Sequence, residues 1–179
     1  MSPDGASSVG PGVGIPIYCW HVHIYFLERN AESTRQALAS RSAFIDTFSD
    51  LVSSSECDAE VTTDALCLWN CQENSTECLN MRPTGPHTYG SWGASMTNAQ
   101  YGRVVPWVLR AKMAYPALAG ILIHPLTAPR GGDTVHTRAR DHRMGLWTRE
   151  VPLDYDFLDH NVYDCSICDP DHCRQACPP

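Results

Sequence analysis

The first long apolar stretch of the chain is IYCWHVHIYF, at positions 17–26. A run this rich in aromatic and β-branched residues predicts a buried strand. Alternate side chains of a strand share one face, so His21, His23 and Tyr25 should project together. The opposite face would then carry the apolar side chains Trp20, Val22 and Ile24. The pattern predicts a strand with a polar, ring-bearing face and a second face that packs against helices.

Two later stretches have hydrophobic residues at helical spacing. The first predicts an amphipathic helix within 28–52, with Asn30 or Ser33 able to cap its start. The second predicts a helix within 102–114. Because proline is tolerated only in the first turn of a regular helix, Pro106 implies that this helix begins only a few residues earlier, near position 104.

Strand-like patterns occupy much of the remaining chain. Beyond the first strand they predict four more, at 59–69, 85–96, 118–126 and 144–151. With the two helices, the order is β-α-β-β-α-β followed by an extra strand. This order is that of the ferredoxin-like α+β fold, an antiparallel sheet with two helices on one face.

The strand order has a consequence for two further histidines. In this topology the first strand lies between the third and fourth, at about 4.8 Å from each. His87 lies near the start of the third predicted strand and His124 near the end of the fourth. Together with His21 and His23 they can converge on the helix-free face. Neutral imidazole is a common metal ligand, so this arrangement predicts a metal site, although locally hydrogen-bonded core histidines are the alternative.

Length and charge limit the possibilities. The 179 residues suit one domain with a real hydrophobic core, here assigned to 15–158. Residues 1–14 are rich in Gly, Ser and Pro and are expected to be disordered, and 159–179 form a Cys-rich tail expected to pack on the domain. The net charge of −7 argues against nucleic acid as a partner. No apolar run is long enough to suggest a membrane span.

The chain contains nine cysteines. Apart from Cys19 they fall into two groups, which are Cys57, Cys67, Cys71 and Cys78, then Cys165, Cys168, Cys173 and Cys177. Two groups of four suit a disulfide framework that staples the C-terminal tail, which favours an extracellular protein over a cytoplasmic one. The alternative is zinc, because Cys165 and Cys168 are followed by His172. Cys19 would be a free thiol in the core.

Several motifs resemble those of the DOPA 4,5-dioxygenase family. They are WHVHIYF, RPTGPH, ILIHPLT, and DH followed by GLWTREVPLDYDFL, in order and at compatible spacing from Tyr18 to Leu158. The resemblance implies a ferredoxin-like fold, often a homodimer, and extradiol cleavage of a catechol by O2 at a non-haem iron. The histidines that it carries over are His21, His23, His87, His124 and His142.

This chemistry assigns roles to individual side chains. Fe(II) is the expected metal, bound by two or three of His21, His23, His87 and His124, with copper as the alternative. A remaining histidine, either His142 or His87, is expected to move protons to and from the catechol. Tyr25 either hydrogen-bonds a bound oxygen or merely packs.

A substrate with a carboxylate tail would be recognised by guanidinium groups. Arg138, Arg140 and Arg143 lie in the loop after the fourth predicted strand and are the candidates, although a solvated charged loop is the simpler interpretation of each. The leading hypothesis is therefore an extradiol ring-cleaving dioxygenase. The alternatives are a copper- or iron-dependent oxidase or peroxygenase on the same scaffold, and a non-catalytic secreted protein that binds a metal or a phenol.

Overall fold

The computed structural model describes residues 14–52, 66–68, 79–127, 140–155 and 157. Its elements are β1 (Cys19–Phe26), α1 (Ala31–Thr47), β2 (Cys67–Leu68), β3 (Gly90–Thr97), α2 (Asn98–Ala114), β4 (Gly120–Leu126) and β5 (Leu146–Trp147). The five strands form one sheet in the order β2-β3-β1-β4-β5. All strand pairs are antiparallel. The predicted α+β, ferredoxin-like architecture is confirmed, with the extra strand at the edge beyond β4.

β1 is the central strand, as predicted. It pairs along its whole length with β3, and along nearly all of it with β4. His21 lies directly opposite His124 in the β1–β4 register. The even positions of β1 carry Val22 and Ile24, which are fully buried on the helix side. This alternation leaves the odd positions of β1 on the face that the helices do not cover.

The main hydrophobic core lies between the sheet and both helices. Phe44 of α1 and Val108 of α2 belong to the same buried cluster as Val22 and Ile24 of β1. The ring of Phe44 packs edge-to-face on Trp92 of β3, with centroids 5.5 Å apart. Both helices therefore lie on one face of the sheet, which is the predicted arrangement.

α1 is shorter than the segment in which it was predicted. Asn30 is its N-cap, and its side chain accepts a hydrogen bond from Ser33 N at 3.0 Å. The regular helix ends at Thr47, and the next residues form turns in which Leu51 N and Val52 N both donate to Phe48 O. Helical spacing of apolar residues continues through those turns, so spacing alone did not locate the end of the helix.

α2 begins earlier than predicted. It starts at Asn98, directly after Thr97, whose backbone N donates to the side-chain oxygen of Gln100 at 2.9 Å. A threonine followed three residues later by glutamine is the capping-box pattern that marks a helix start. Pro106 consequently lies in the helix interior, and the prediction that it occupies the first turn is wrong. The buried Val104 and Val108 flank it and pack into the core, which offsets the missing hydrogen bond.

The remaining strands are also shorter than predicted. β2 covers only two described residues, and most of the predicted strand 59–69 lies outside the described part of the chain. β3 begins at Gly90 and not at position 85, because a turn with Gly85 at a φ of 59° comes first. Within the predicted strand 144–151, only Leu146 and Trp147 pair with β4.

Several predictions fall on residues that the structure does not describe. These include the disordered segment 1–14 apart from Gly14, and the Cys-rich tail 159–179. Cys19 is buried and does not belong to a disulfide, as expected. Of the other eight cysteines only Cys67 is described, and it is disulfide-bonded. The stapled tail therefore stays a prediction. None of the described helices is long and apolar enough to cross a membrane.

Candidate metal centre

Three ring-bearing side chains of β1 lie on the face opposite the helices. His21, His23 and Tyr25 are all buried there. Directly opposite them on β3 lie the small residues Ser95, Gly93 and Ser91. Residues paired in register point to the same side of a sheet, so this part of the face holds the rings of β1 beside short side chains. The alternation of small and large residues in GSWGASMT places the short side chains on this face and Trp92 and Met96 on the other.

His124 of β4 completes a close pair with His23. It is fully buried, and its Nε2 atom lies 3.1 Å from Nε2 of His23. Two nitrogens that each bind one metal at about 2.1 Å are separated by about 3.0 Å at a right angle and about 3.4 Å at the tetrahedral angle. The observed 3.1 Å therefore fits two ligands of a single metal without rearrangement.

The other ring nitrogen of His124 fixes its protonation. Nδ1 lies 3.0 Å from the backbone oxygen of Pro125. A carbonyl oxygen only accepts hydrogen bonds, so Nδ1 carries the proton and donates it. Nε2 of the neutral ring then keeps a lone pair directed towards His23. A backbone carbonyl that orients the second nitrogen in this way is typical of metal-ligating histidines.

His87 reaches the cluster from a turn, so its predicted place on the third strand is wrong. Its backbone exchanges two hydrogen bonds with Thr84, of 3.1 and 3.2 Å. The left-handed conformation of Gly85 closes this turn before β3 begins. The His87 ring nevertheless lies beside His23, with centroids 4.4 Å apart. The expected convergence on the helix-free face is therefore seen, by a different route.

Tyr25 connects His87 to the sheet. Its hydroxyl oxygen and Nδ1 of His87 share a hydrogen bond of 2.9 Å. Burial, and then the charge of the nearby Tyr155, raise the pKa of Tyr25 well above its usual value, so the phenol stays protonated at neutral pH. The ring also stacks on Trp147, with centroids 5.7 Å apart. Tyr25 thus both packs and hydrogen-bonds, and its bond orients a neighbouring histidine.

His142 joins the cluster from a helical turn at 140–143. It is buried, and its ring stacks on that of His124 with centroids 4.1 Å apart and an interplanar angle of 29°. Its centroid also lies 6.0 Å from that of His23 and 6.1 Å from that of His87. The structure therefore brings together all five histidines that the sequence singled out.

No carboxylate belongs to the metal-ligand groupings of the described residues. Two groups have ligand atoms within 4.8 Å of one another, and they are His21, His23 and His124, then His23, His87 and His142. The carboxylate of Glu28 accepts from Gly90 N at 3.2 Å. That of Asp141 accepts from Thr127. Both carboxylates bind backbone or hydroxyl groups outside the histidine cluster.

Burial keeps four imidazoles of the cluster neutral. It lowers the pKa of His21, His23 and His124 well below the usual value, and that of His87 to about 3. Mutual repulsion among the rings adds to this effect, because a second proton in the cluster would face the first. Metal ligation requires the unprotonated nitrogen, so the cluster is held in the state that binds a cation.

The arginines predicted to bind substrate have structural contacts of their own. Arg140 donates to Thr127 Oγ1, and its Nε lies 3.6 Å from the buried carboxylate of Asp141. The guanidinium of Arg143 lies over the ring of Tyr155, 4.9 Å from the centroid. Arg138 lies outside the described residues, as do His136, His160 and His172.

Sequence reasoning missed several residues that shape the cluster. Thr127, Gly145 and Trp147 contact cluster residues or the turn that carries His142. No local pattern distinguishes them, because each acts through a partner distant in the chain. Asp141 belongs with them, because its carboxylate binds Thr127 from the helical turn that carries His142.

The fold and the site define an α+β protein with a buried histidine cluster able to hold a metal. Residues 20–157 match the sequence profile of the Dopa 4,5-dioxygenase family, and the chain belongs to that family. It is similar to a crystal structure of a presumed dioxygenase from Nostoc punctiforme, with 22% identity and a TM-score of 0.51 over 79% of this chain and 91% of that one. That likeness supports the fold. No curated protein matches the chain significantly.

Proposed function

We propose that this dioxygenase-family protein is a metal-dependent, extradiol ring-cleaving enzyme that acts on a catechol with O2. The observation that carries the proposal is the separation of 3.1 Å between Nε2 of His23 and Nε2 of His124, inside a cluster of neutral histidines. Family membership supports the reaction type, and the burial of the cluster supports a bound metal. Fe(II) is the proposed metal.

The residues present fit such a metal. His21, His23 and His124 are the proposed ligands, because all three lie on paired strands and their ligand atoms lie within 4.8 Å of one another. A metal held by few protein ligands keeps open positions. When bound, it would hold the two catechol oxygens and O2 together and so make their reaction possible.

His142 is the proposed proton acceptor, and His87 is proposed to hydrogen-bond the bound substrate. Catechol must lose a proton on binding, and a neutral imidazole can accept it, but burial lowers the pKa of His87 to about 3 and makes that ring a weak base. His142 stacks on His124 at 4.1 Å, and His87 lies beside His23 at 4.4 Å, so both rings adjoin the proposed ligands. Tyr25 holds Nδ1 of His87 and thereby fixes which way its other nitrogen points.

The proposed reaction balances without a further reductant. Both atoms of O2 are incorporated into the product, and the bond between one hydroxyl-bearing carbon and the neighbouring ring CH breaks. One end becomes an aldehyde and the other a carboxylic acid. The proton accepted from the catechol hydroxyl is available to be returned during ring opening, which is the role proposed for His142.

A copper-dependent oxidase is the second candidate. The groups with metal-ligand spacing in the described part of the chain contain histidine alone, and an all-nitrogen set suits copper at least as well as iron. Such an enzyme would consume O2 without opening the ring. The proposed extracellular location and disulfide framework would agree with a copper enzyme. A count of about one free thiol per chain under denaturing conditions would support that framework and that location.

Metal analysis combined with a catechol panel tests the proposal. The protein purified without added metal is analysed for iron and copper, then supplied with catechols under air while oxygen uptake and product absorbance are followed. A yellow semialdehyde formed in proportion to oxygen consumed supports ring cleavage. Oxygen uptake without ring opening supports the copper alternative, and no uptake by either metal form refutes both.

A further inference from the structure

The turn that carries His142 is fastened to β4 at its first end by Asp141. This side chain is fully buried, and its carboxylate accepts hydrogen bonds from Thr127 N at 2.9 Å and Thr127 Oγ1 at 2.6 Å. Thr127 directly follows β4, three residues after His124. Both carboxylate oxygens are thus occupied by the end of the strand. A buried carboxylate with two short hydrogen bonds is a strong anchor.

The other end of the turn rests on β4 through Gly145. Its backbone N donates to His142 O at 3.1 Å. A Cβ atom added to Gly145 would lie 2.3 Å from Leu122 Cδ1 and 3.4 Å from His124 Cβ. The backbone therefore packs directly on the strand residues beneath it. A side chain at this position would require the buried Leu122 side chain to shift or the turn to move away from β4.

His142 lies between these two contacts. Its partners in the cluster on β1 and β4 are placed by paired strands, whereas His142 has no strand of its own. Its ring is held 4.1 Å from that of His124, and Asp141 and Gly145 both contact the segment 122–127 around that residue. Contacts of the preceding residue Asp141 and of the following residue Gly145 therefore determine the position of His142 over His124.

We propose that Asp141 and Gly145 are positioning residues that hold His142 against His124 in the cluster. The proposal rests on the proposed function for its catalytic consequence, because His142 is the proton-handling residue there. If the turn is loosened, the strand-borne His21, His23 and His124 still bind the metal, while proton transfer through His142 slows. Loosening the turn should therefore lower the turnover rate and leave the metal content unchanged.

The direct test is the replacement D141A. We expect metal content and KM within about twofold of wild type, and a kcat lowered by at least about tenfold, since positioned general acids and bases contribute about 10²–10⁴-fold. In a H142A background, D141A should cost no further activity, because the residue through which it acts is already gone. Equal losses from D141A in both backgrounds would overturn the proposal.

A matched variant separates positioning from general destabilisation. The carboxylate of Glu28 also anchors a backbone N–H, that of Gly90, but lies outside the cluster. E28Q should therefore leave the kcat within about twofold of wild type, whatever its effect on stability. D141N can keep one of the two acceptor contacts and should restore part of the lost kcat. If E28Q lowers the kcat as much as D141A, the role is merely structural.

NMR of the histidine rings tests the positioning role without any measurement of catechol cleavage. In protein loaded with Zn²⁺ as a diamagnetic probe, the ring ¹⁵N resonances of His142, assigned with H142A, should shift or broaden in D141A and in G145A. Those of His21 and His23 should move less, because both residues lie on β1 and not in the segment 122–127 that the turn contacts. Unchanged His142 resonances overturn the positioning role. If they move while the wild-type protein cleaves no catechol, the catechol assignment fails and the positioning role stands.

Discussion

Nε2 of His23 lies 3.1 Å from Nε2 of His124, although 101 positions separate the two residues in the chain. The pairing of β1 with β4 produces this contact, since His21 and His124 are direct partners in register and His23 is the next residue on the same face. Two neutral imidazoles at this distance share either a proton or a metal. The pairing that builds the core on one face of the sheet thereby gathers, on the other face, histidines able to hold a cation.

Removing ligands from β1 should abolish metal binding. In the double variant H21A/H23A, metal per chain after native purification should fall to about a tenth of the wild-type value or less, because only one proposed ligand remains. Elemental analysis measures this directly. S40A, a buried polar change on the helix side, serves as the control and should retain its metal. Full metal content in H21A/H23A would mean that the cluster is not the site.

Tyr25 should contribute to turnover through His87. Y25F removes the hydrogen bond of 2.9 Å but keeps the ring that stacks on Trp147. We expect stability to fall by about 1 kcal/mol, the usual net value of one hydrogen bond, and kcat by about tenfold. Chemical denaturation and steady-state kinetics measure the two effects. Y101F, which alters a phenol on the helix side, should change neither by as much.

The metal-free protein should lose stability as the pH falls below about 6.5, the ordinary pKa of an unfolded histidine. Burial lowers the pKa of His21, His23, His87 and His124 in the folded state, that of His87 to about 3. Below pH ~6.5 the unfolded chain therefore binds protons that the folded chain refuses, while above it the two states match. Each ring should lower the unfolding free energy by about 1.4 kcal/mol per pH unit.

Urea unfolding of the metal-free protein at pH 7.5, 6 and 5 measures this slope. H87Q removes one of the titrating rings and should flatten the slope by about 1.4 kcal/mol per pH unit below pH ~6.5. A slope identical to that of the wild type would show that His87 takes up its proton as easily in the folded state as in the unfolded chain.

Replacement by alanine should change the stability of the protein in opposite directions at two glycines. A Cβ at Gly120, opposite Tyr25 in the sheet, would lie 2.4 Å from Arg149 O and 2.8 Å from Val151 Cγ2. G120A should therefore destabilise the protein by about 1–3 kcal/mol through overpacking. Gly102 in α2 has no atom within 4 Å of its added Cβ, and G102A should stabilise it by up to about 1 kcal/mol. Thermal unfolding of both variants tests the pair.

Arg143 should affect carboxylated catechols selectively. It follows His142 in the helical turn at 140–143, and its guanidinium lies over the ring of Tyr155. R143M should raise KM for a catechol with a carboxylate tail by about tenfold, the value of one charge-assisted contact, and leave KM for unsubstituted catechol unchanged. Equal effects on both substrates would contradict a role in binding the carboxylate.

Much of the fold could be predicted because its signals are local. The alternation of side chains in β1 predicted its two faces. The order of helices and strands predicted its central position in the sheet. Helix limits failed where a polar contact overrode spacing, as at Thr97 and Gln100, which start α2 well before Pro106. β3 was predicted too long because a glycine turn interrupts it.

The candidate site was predictable as a set of histidines but not as an arrangement. Strand order brings His21, His23 and His124 together, and that order followed from the sequence. His142 and its anchor depend on a contact between Asp141 and Thr127, which lie 14 positions apart with no periodic relation. Such contacts follow from tertiary packing, which no pattern along the chain encodes.

The position of β1 at the centre of the sheet has a thermodynamic consequence for any metal that its histidines hold. The strand is hydrogen-bonded on both sides, and His124 lies directly beside it on β4. The three histidines come together only when these strands pair, so a cation ligated by them would bind the folded state alone and stabilise it by mass action. The temperature of half-unfolding should then rise with the concentration of free metal.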